Sequence, residues 1–224
     1  YDAPMLAAAQ AVASENNAKL TVFDANNDPQ KQYSQLQNVI SNGQYDGIVV
    51  QPISSTGLVD LVKQAIAKGI KVVNIDQIMG TDLSTNDIQV PGLIATVVTP
   101  VPTVIGTQMG QLAIKACASK SFNPCNIGYM YDIKASSLDV AIHQAFVDAV
   151  KSTPSIKLVA EGQDFFTPSG GLTATQDMLQ ANPNLSVIVA SDQGIEGAVQ
   201  ALTAAKNKPF SIASAKESKS NVIV

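Results

Sequence analysis

The 224 residues carry 18 acidic and 14 basic side chains, a formal charge of −4, with 46% hydrophobic and 14% charged residues. That balance supports a sizeable core in one large domain or two modest ones, and it lacks the basic face that nucleic-acid binding needs. No apolar run approaches the roughly 18 residues of a membrane span.

The Ala-rich stretch from Pro4 to Asn17 predicts a helix, so the chain opens on a helix rather than a strand. Leu20 to Phe23 reads as a strand and Asp24–Pro29 as a polar loop, with Pro29 suited to the first turn of the next helix. In that helix Tyr33, Leu36, Val39 and Ile40 fall on one face. Asp46 to Gln51 predicts a strand ending at Pro52. Thr56 to Lys68 predicts a helix with Leu58, Leu61, Val62, Ala65 and Ile66 in period and Gly69 as its stop. Ile70 to Ile75 is a buried-strand pattern that delivers Asp76 and Gln77 at its carboxyl end. An irregular stretch from Met79 to Gly92 follows, then a strand from Ile94 to Val98 running into Thr99-Pro-Val-Pro102, where two prolines suit a crossover between domains.

The second half predicts a helix over Thr103–Ala118, a strand over Asn126–Tyr131, and a loop over Asp132–Ser136. A helix over Ser137–Lys151 comes next, with Val140, Phe146, Val147 and Val150 toward the core. After a further strand–loop–helix–strand unit comes a helix over Gly194–Lys206, then a weak apolar segment near Phe210–Ala213. The unit from Lys157 to Asp192 repeats the order of the unit from Lys19 to Pro52: strand, polar loop, helix, short apolar strand. Two such units predict two similar α/β lobes with parallel sheets. Ligands of open parallel sheets bind beyond the carboxyl ends of the strands, so a cleft between the lobes is the expected site.

Cys117 and Cys125 are the two cysteines. Their spacing is too wide for a redox C-x-x-C pair and supplies only half a zinc site. The expected reading is a small disulfide closing a helix-to-strand loop, which implies an oxidising compartment; two unrelated thiols is the alternative.

The pieces DANNDPQKQ, DGIVVQP, AKGIKVVNID and ASDQGIEGAVQAL occur in order over most of the chain, roughly Tyr1 to Lys208. Together they resemble the periplasmic sugar-binding proteins of the ribose/galactose type, which serve ABC importers and in some cases chemoreceptors. The resemblance implies an α/β fold of two Rossmann-like lobes with parallel sheets, joined by three crossovers around a ligand cleft. It divides the chain into residues 1–99 and 100–224. It also implies a first strand before Tyr1 and a last segment after Val224, both outside this sequence.

By the same resemblance the chain is a non-enzymatic monomer without cofactor, on the periplasmic or extracellular face, secreted or lipid-anchored. Its partners are a sugar or polyol and the permease of an ABC importer, possible chemoreceptor contact included, and not nucleic acid.

Sugar sites need carboxylates or amides for vicinal hydroxyls and aromatic rings for the apolar sugar face. Asp76, on the rigid end of an apolar strand, is the leading candidate, and the resemblance implies that it bonds sugar hydroxyls. Gln77 stands where many relatives carry arginine. Tyr1 and Asp2 fall where the family places contacts in its first strand-to-helix loop. Phe166 aligns with a stacking phenylalanine, while Phe165 is expected to turn into the core. Ser191 and Asp192 take the place of a common Asn-Asp pair, and Asp132 ends another strand facing the same cleft. The family's arginine on the following helix falls at Val140, so Asp139 is the expected substitute.

Asp24, Asn26, Asn27 and Asp28 lack the EF-hand pattern and are expected to be structural. His143, the single histidine, is expected on a surface or in packing.

Two other classes stay open. A sugar-responsive transcription repressor carries the same architecture behind a helix-turn-helix headpiece, and none is present in this sequence. An α/β enzyme acting on a small polyhydroxylated substrate could pair Asp76 with Asp192 as acid and base. However, the chain has no dinucleotide or P-loop motif after a strand and no nucleophile elbow.

Overall fold

The computed structural model describes residues 2–98, 101–205 and 211–214, with side chains at 3–96 and 101–205. Its first part runs α1 (Asp2–Glu15), α2 (Pro29–Asn42), β1 (Gly47–Val50), α3 (Val59–Ala67), β2 (Lys71–Asp76) and β3 (Ala95–Val98). Its second part runs α4 (Pro102–Ser119), β4 (Cys125–Tyr131), α5 (Ser137–Val150), β5 (Ile156–Gln163), α6 (Pro168–Ala181), β6 (Val187–Ala190), α7 (Asp192–Ala205) and β7 (Ser211–Ser214).

The strands form two parallel sheets, ordered β1-β2-β3 and β5-β4-β6-β7. Gly47 pairs with Lys71 and Val73 with Ala95 in the first; Tyr129 pairs with Glu161 and Val189 in the second.

Local chemistry sets the helix starts. The Asp28 carboxylate accepts from the Gln30 and Lys31 amides, and Pro29 follows it at the first helical position of α2. Ser136 caps α5 through the Leu138 amide, and Thr167 caps α6 through the Gly170 amide. Asp24 turns its own loop by accepting from the Asn26 amide at 2.6 Å. The polar run from Asp24 to Asp28 thus does turn and cap work.

Alternation along the central strands assigns the helix layers. Ile127, Tyr129, Val187 and Val189 face α4 and α5, packing with Met109, Ala113, Ile142 and Phe146. Met130, Ile188 and Ala190 face the other way, toward Ala174, Met178 and Ala198 of α6 and α7. The second sheet is therefore covered on both faces, as parallel sheets require. In the first sheet Val50 and Val72 pack with Leu36 and Ile40 of α2 and Leu61, Val62 and Ala65 of α3.

Several sequence expectations are corrected. Leu20–Phe23 is not a strand: Leu20, Val22 and Phe23 are exposed, and none of the described strands pairs with them. A strand exists only through its ladder. Ile156–Gln163 has β4 beside it and forms, whereas Leu20–Phe23 has apolar residues but no strand beside it among the described residues. Val49, at 63% exposure, marks the uncovered side of β1. Tyr33, expected on one face with Leu36, Val39 and Ile40, and Val140, expected toward the core, are both exposed, while Ile142 joins Phe146 and Val150 as a buried apolar residue of α5. The helix expected from Gly194 begins two residues earlier at Asp192, because Ser191 occupies the cap position: its carbonyl accepts from the Ile195 amide at 2.9 Å. The weak apolar segment contains strand β7; its Phe210, like residues 99 and 100 of the expected crossover, lies outside the described residues.

Cys117, near the end of α4, and Cys125, at the start of β4, form a disulfide across a sequence separation of 8. Closing a loop this short removes about 2.5 kcal/mol of unfolded-chain entropy. Replacing both cysteines by alanine should lower stability by about that amount in urea titration. A thiol assay under denaturing, non-reducing conditions should find no free cysteine.

Candidate functional site

The candidate residues converge on the carboxyl ends of β1, β2, β4, β5 and β6. In the first sheet, β2 ends in a three-residue turn closed by the Gln77 amide donating to the Ile75 carbonyl at 2.7 Å. Asp76 sits at its centre with φ +62°, a conformation that disfavours a residue with a side chain and that clusters at functional sites. Asn74, fully buried one pleat earlier, holds the turn by donating through Nδ2 to the Gln77 carbonyl and the Thr96 hydroxyl, both at 2.9 Å. Gln51, at the end of β1, donates to Asp76 Oδ2 at 2.8 Å. Gln51 is itself set by Gln32, whose amide donates to the Gln51 carbonyl and accepts from the Ile53 amide. Gln51 and Asn74 escaped the sequence reading. Their signal is position alone: Gln51 follows β1 directly, as Gln77 follows β2.

In the second sheet Asp132, Asp164 and Ser191 follow β4, β5 and β6. The Ser191 hydroxyl donates to Asp132 Oδ1 at 2.5 Å. The Asp164 amide reaches the Tyr131 carbonyl and the Phe165 amide reaches the Asp132 carbonyl, carrying the β4–β5 ladder past the strand ends. Asp139, at the first turn of α5, is buried and accepts from the Asp132 and Ile133 amides, each at 3.0 Å. Its two oxygens thus shape the loop that presents Asp132.

Phe165 and Phe166 both take positive φ, +57° and +55°. Phe165 does not turn into the core: it is 58% exposed and Phe166 37%. The turn is pinned from behind by Asp164, whose Oδ1 accepts from the Phe166 amide at 2.9 Å, so both rings are thrown outward. Asp164 was not singled out from sequence; its signal is an aspartate two residues before a turn residue, the spacing of a side-chain-closed turn. Asp192 lies exposed in the first turn of α7. Tyr1 and the side chain of Asp2 lie outside the described residues.

The two parts meet at this level. The Ser137 amide donates to the Ile53 carbonyl at 3.3 Å, the Ser55 amide to Ser137 Oγ at 3.1 Å, and Ser136 Oγ to Gln77 Oε1 at 3.4 Å. Asp76–Gln77 and the Asp132–Ser136 loop therefore flank one seam.

The electrostatics are one-sided. Burial pushes the Asp132 carboxyl up to about 8; the Asp164 charge adds to this and the Ser191 hydroxyl opposes it. Burial and the Asp132 charge raise Asp139 to about 7 against its two amide donors. Asp164 is raised by burial as well, with its hydrogen bonds to Asp132 and the Phe166 amide pulling down. In the unfolded chain such carboxyls titrate near 3.8. The fold thus holds protons that the unfolded chain releases between about pH 4 and 8, and stability should fall as pH rises through that window. Urea titrations at pH 5 and pH 8 measure the fall, and Asp132→Asn should flatten it. An unchanged slope would show Asp132 to be compensated.

His143 belongs elsewhere: on α5 its Nε2 lies 3.0 Å from Glu161 Oε1, against the Tyr129 and Tyr131 rings. It has no part in the seam and offers no base to Ser191 or Asp132.

Residues 1–218 match the model of the periplasmic binding protein domain. The chain belongs to that family. The galactofuranose-binding protein YtfQ of Escherichia coli (strain K12) is 24% identical over 205 residues, covering 90% of this chain and 61% of the relative. The ribose import binding protein RbsB of Bacillus subtilis (strain 168) is 24% identical over 191 residues, covering 85% of this chain and 57% of the relative. A crystal structure from Mycobacterium smegmatis in complex with β-D-fucofuranose superposes with a TM-score of 0.73 at 26% identity, over 92% of this chain and 66% of that one. The chain thus spans about three fifths of the length of these curated relatives. The fold is that of a type I periplasmic binding protein: α/β, with parallel sheets. These relatives are binding proteins.

Proposed function

We propose that this periplasmic binding protein domain captures a sugar or related polyol between two lobes, residues 1–99 and 100–224, and hands it unchanged to the permease of an ABC importer. The observation that carries the reading is the bridge from Gln77 to Ser136, which brings the strand-end carboxylate Asp76 of one sheet and Asp132 of the other to one seam. Carboxylates and amides suit hydroxyl donors, and the outward Phe166 ring suits an apolar sugar face.

Closure is a hinge motion of one lobe against the other. Only the closed form contacts the solute from both sides, so binding shifts the population toward it. Asp76, Gln77, Asp132, Phe166, Ser191 and Asp192 are the proposed contacts, with Tyr1 and Asp2 completing the first lobe; Gln51 and Asp139 set their positions. The disulfide favours an extracytoplasmic setting over a cytosolic repressor domain.

A thermal-shift screen of pentoses, hexoses and inositols should find a solute that raises Tm in a dose-dependent way. The same solute should be recovered chemically unchanged after prolonged incubation. Sustained turnover would replace this reading with an enzymatic one.

A further inference from the structure

Asp164 is fully buried. Its Oδ1 accepts from the Phe166 amide, and its Oδ2 accepts from no donor among the described residues. The carboxyl lies within hydrogen-bonding reach of Asp132, which is partly open to the seam and also accepts from Ser191. Two carboxylates cannot bond each other, so the contact forms only if one holds a proton.

Among the described residues no ion pair with a cation relieves them. The chain contains no arginine. Among the described residues the ion pairs join Lys63 to Asp60 and Lys134 and His143 to Glu161; none reaches Asp132, Asp139 or Asp164. Every charge that acts on those three is another carboxylate: on Asp132 those of Asp164 and Asp192, on Asp139 that of Asp132, and on Asp164 that of Asp139. The groups nearest the seam beside them, Ser191, Ser136 and Gln77, are neutral. A buried carboxylate oxygen with no donor and no countercharge, such as Asp164 Oδ2, is costly, and retaining a proton offsets that cost.

We propose that the captured solute carries a protonated amine on its hydroxylated skeleton, and that this ammonium docks on Asp132 with Asp164 as the second carboxylate behind it. The inference rests on the reading of the seam as a solute site. An ammonium has three N–H donors and supplies the countercharge the fold omits. On docking, the proton shared by Asp132 and Asp164 leaves to solvent and both carboxylates ionise. An uncharged sugar hydroxyl would leave that proton in place.

Matched triplets test this by calorimetry at pH 7: D-galactosamine, D-galactose and N-acetyl-D-galactosamine, with the corresponding glucose and mannose sets, and D-ribose and myo-inositol as neutral solutes. The amine of at least one set should bind ten-fold or more tighter than its parent and its N-acetyl form. Its apparent enthalpy should differ between buffers of different ionisation enthalpy, reporting proton release. Asp132→Asn and Asp164→Asn should each shrink the amine preference to less than three-fold. The triplets on the unaltered protein stand even if a variant folds poorly. If a neutral sugar or polyol binds as tightly as any amine, or if amine binding releases no proton, the inference falls while solute capture stands. If no member of the panel binds, solute capture falls and the inference with it.

Discussion

Asp76→Ala should abolish the proposed solute binding and leave the empty protein's Tm near its starting value. Asp76 closes β2, is 9% exposed, and accepts from Gln51 through one oxygen. A carboxylate bonding ligand hydroxyls contributes about 1.5–3 kcal/mol per charge-assisted bond, so losing a two-point contact weakens affinity by roughly 100-fold or more.

The backbone makes the test sharper. Asp76 holds φ +62°, a conformation glycine adopts without penalty. Asp76→Gly should therefore bind no better than Asp76→Ala yet be at least as stable, because it relieves strain of order 1 kcal/mol. Calorimetry for binding and thermal melting for stability separate the two effects. Unchanged affinity in either variant would remove Asp76 from the site.

Gly197→Ala should destabilise the protein by about 3 kcal/mol, lowering Tm by roughly 10 °C. The helices α6 and α7 cross glycine to glycine: a Cβ on Gly197 would run into the Pro168 carbonyl, the Leu172 amide and the Gly171 backbone, and one on Gly171 into the Gly194 backbone. These are main-chain atoms that cannot rotate aside, so a single methyl pushes the helices apart and opens the layer over Ile188 and Ala190. A Cβ on Gly194 would likewise meet the Asp164 carboxylate, so the crossing also carries the turn that presents Phe165 and Phe166. Gly43→Ala is the control. It sits at φ +66° with open space around the position and costs only about 1 kcal/mol of backbone strain. Equal losses from both substitutions would show that the helix crossing tolerates the methyl.

Much of the site was visible as strand ends. Asp76, Asp132 and Ser191 each stop an apolar run, and in a parallel sheet every such stop lies on the same edge. What could not be read was which side chains those residues would meet. Gln51 becomes a partner of Asp76 only because β1 and β2 are neighbours, and Ser136 reaches Gln77 only because folding brings together residues 59 apart in the chain. Asp139 was expected to substitute for the family's missing arginine; that its oxygens accept from the Asp132 and Ile133 amides depends on the path of the loop, which no local spacing records.

Patterning along the chain established the α/β alternation, the starts of α2 at Pro29 and α5 at Ser137 and the Cys117–Cys125 loop, because each depends on residues a few positions apart. Assembly in three dimensions decided that Leu20–Phe23 forms no strand, that Phe165 faces outward, and that Asp132, Asp139 and Asp164 crowd together with no ion pair to a cation among the described residues. Those outcomes turn on ladder partners, burial and uncompensated charge, which are properties of neighbours brought together by folding and leave no mark on local spacing.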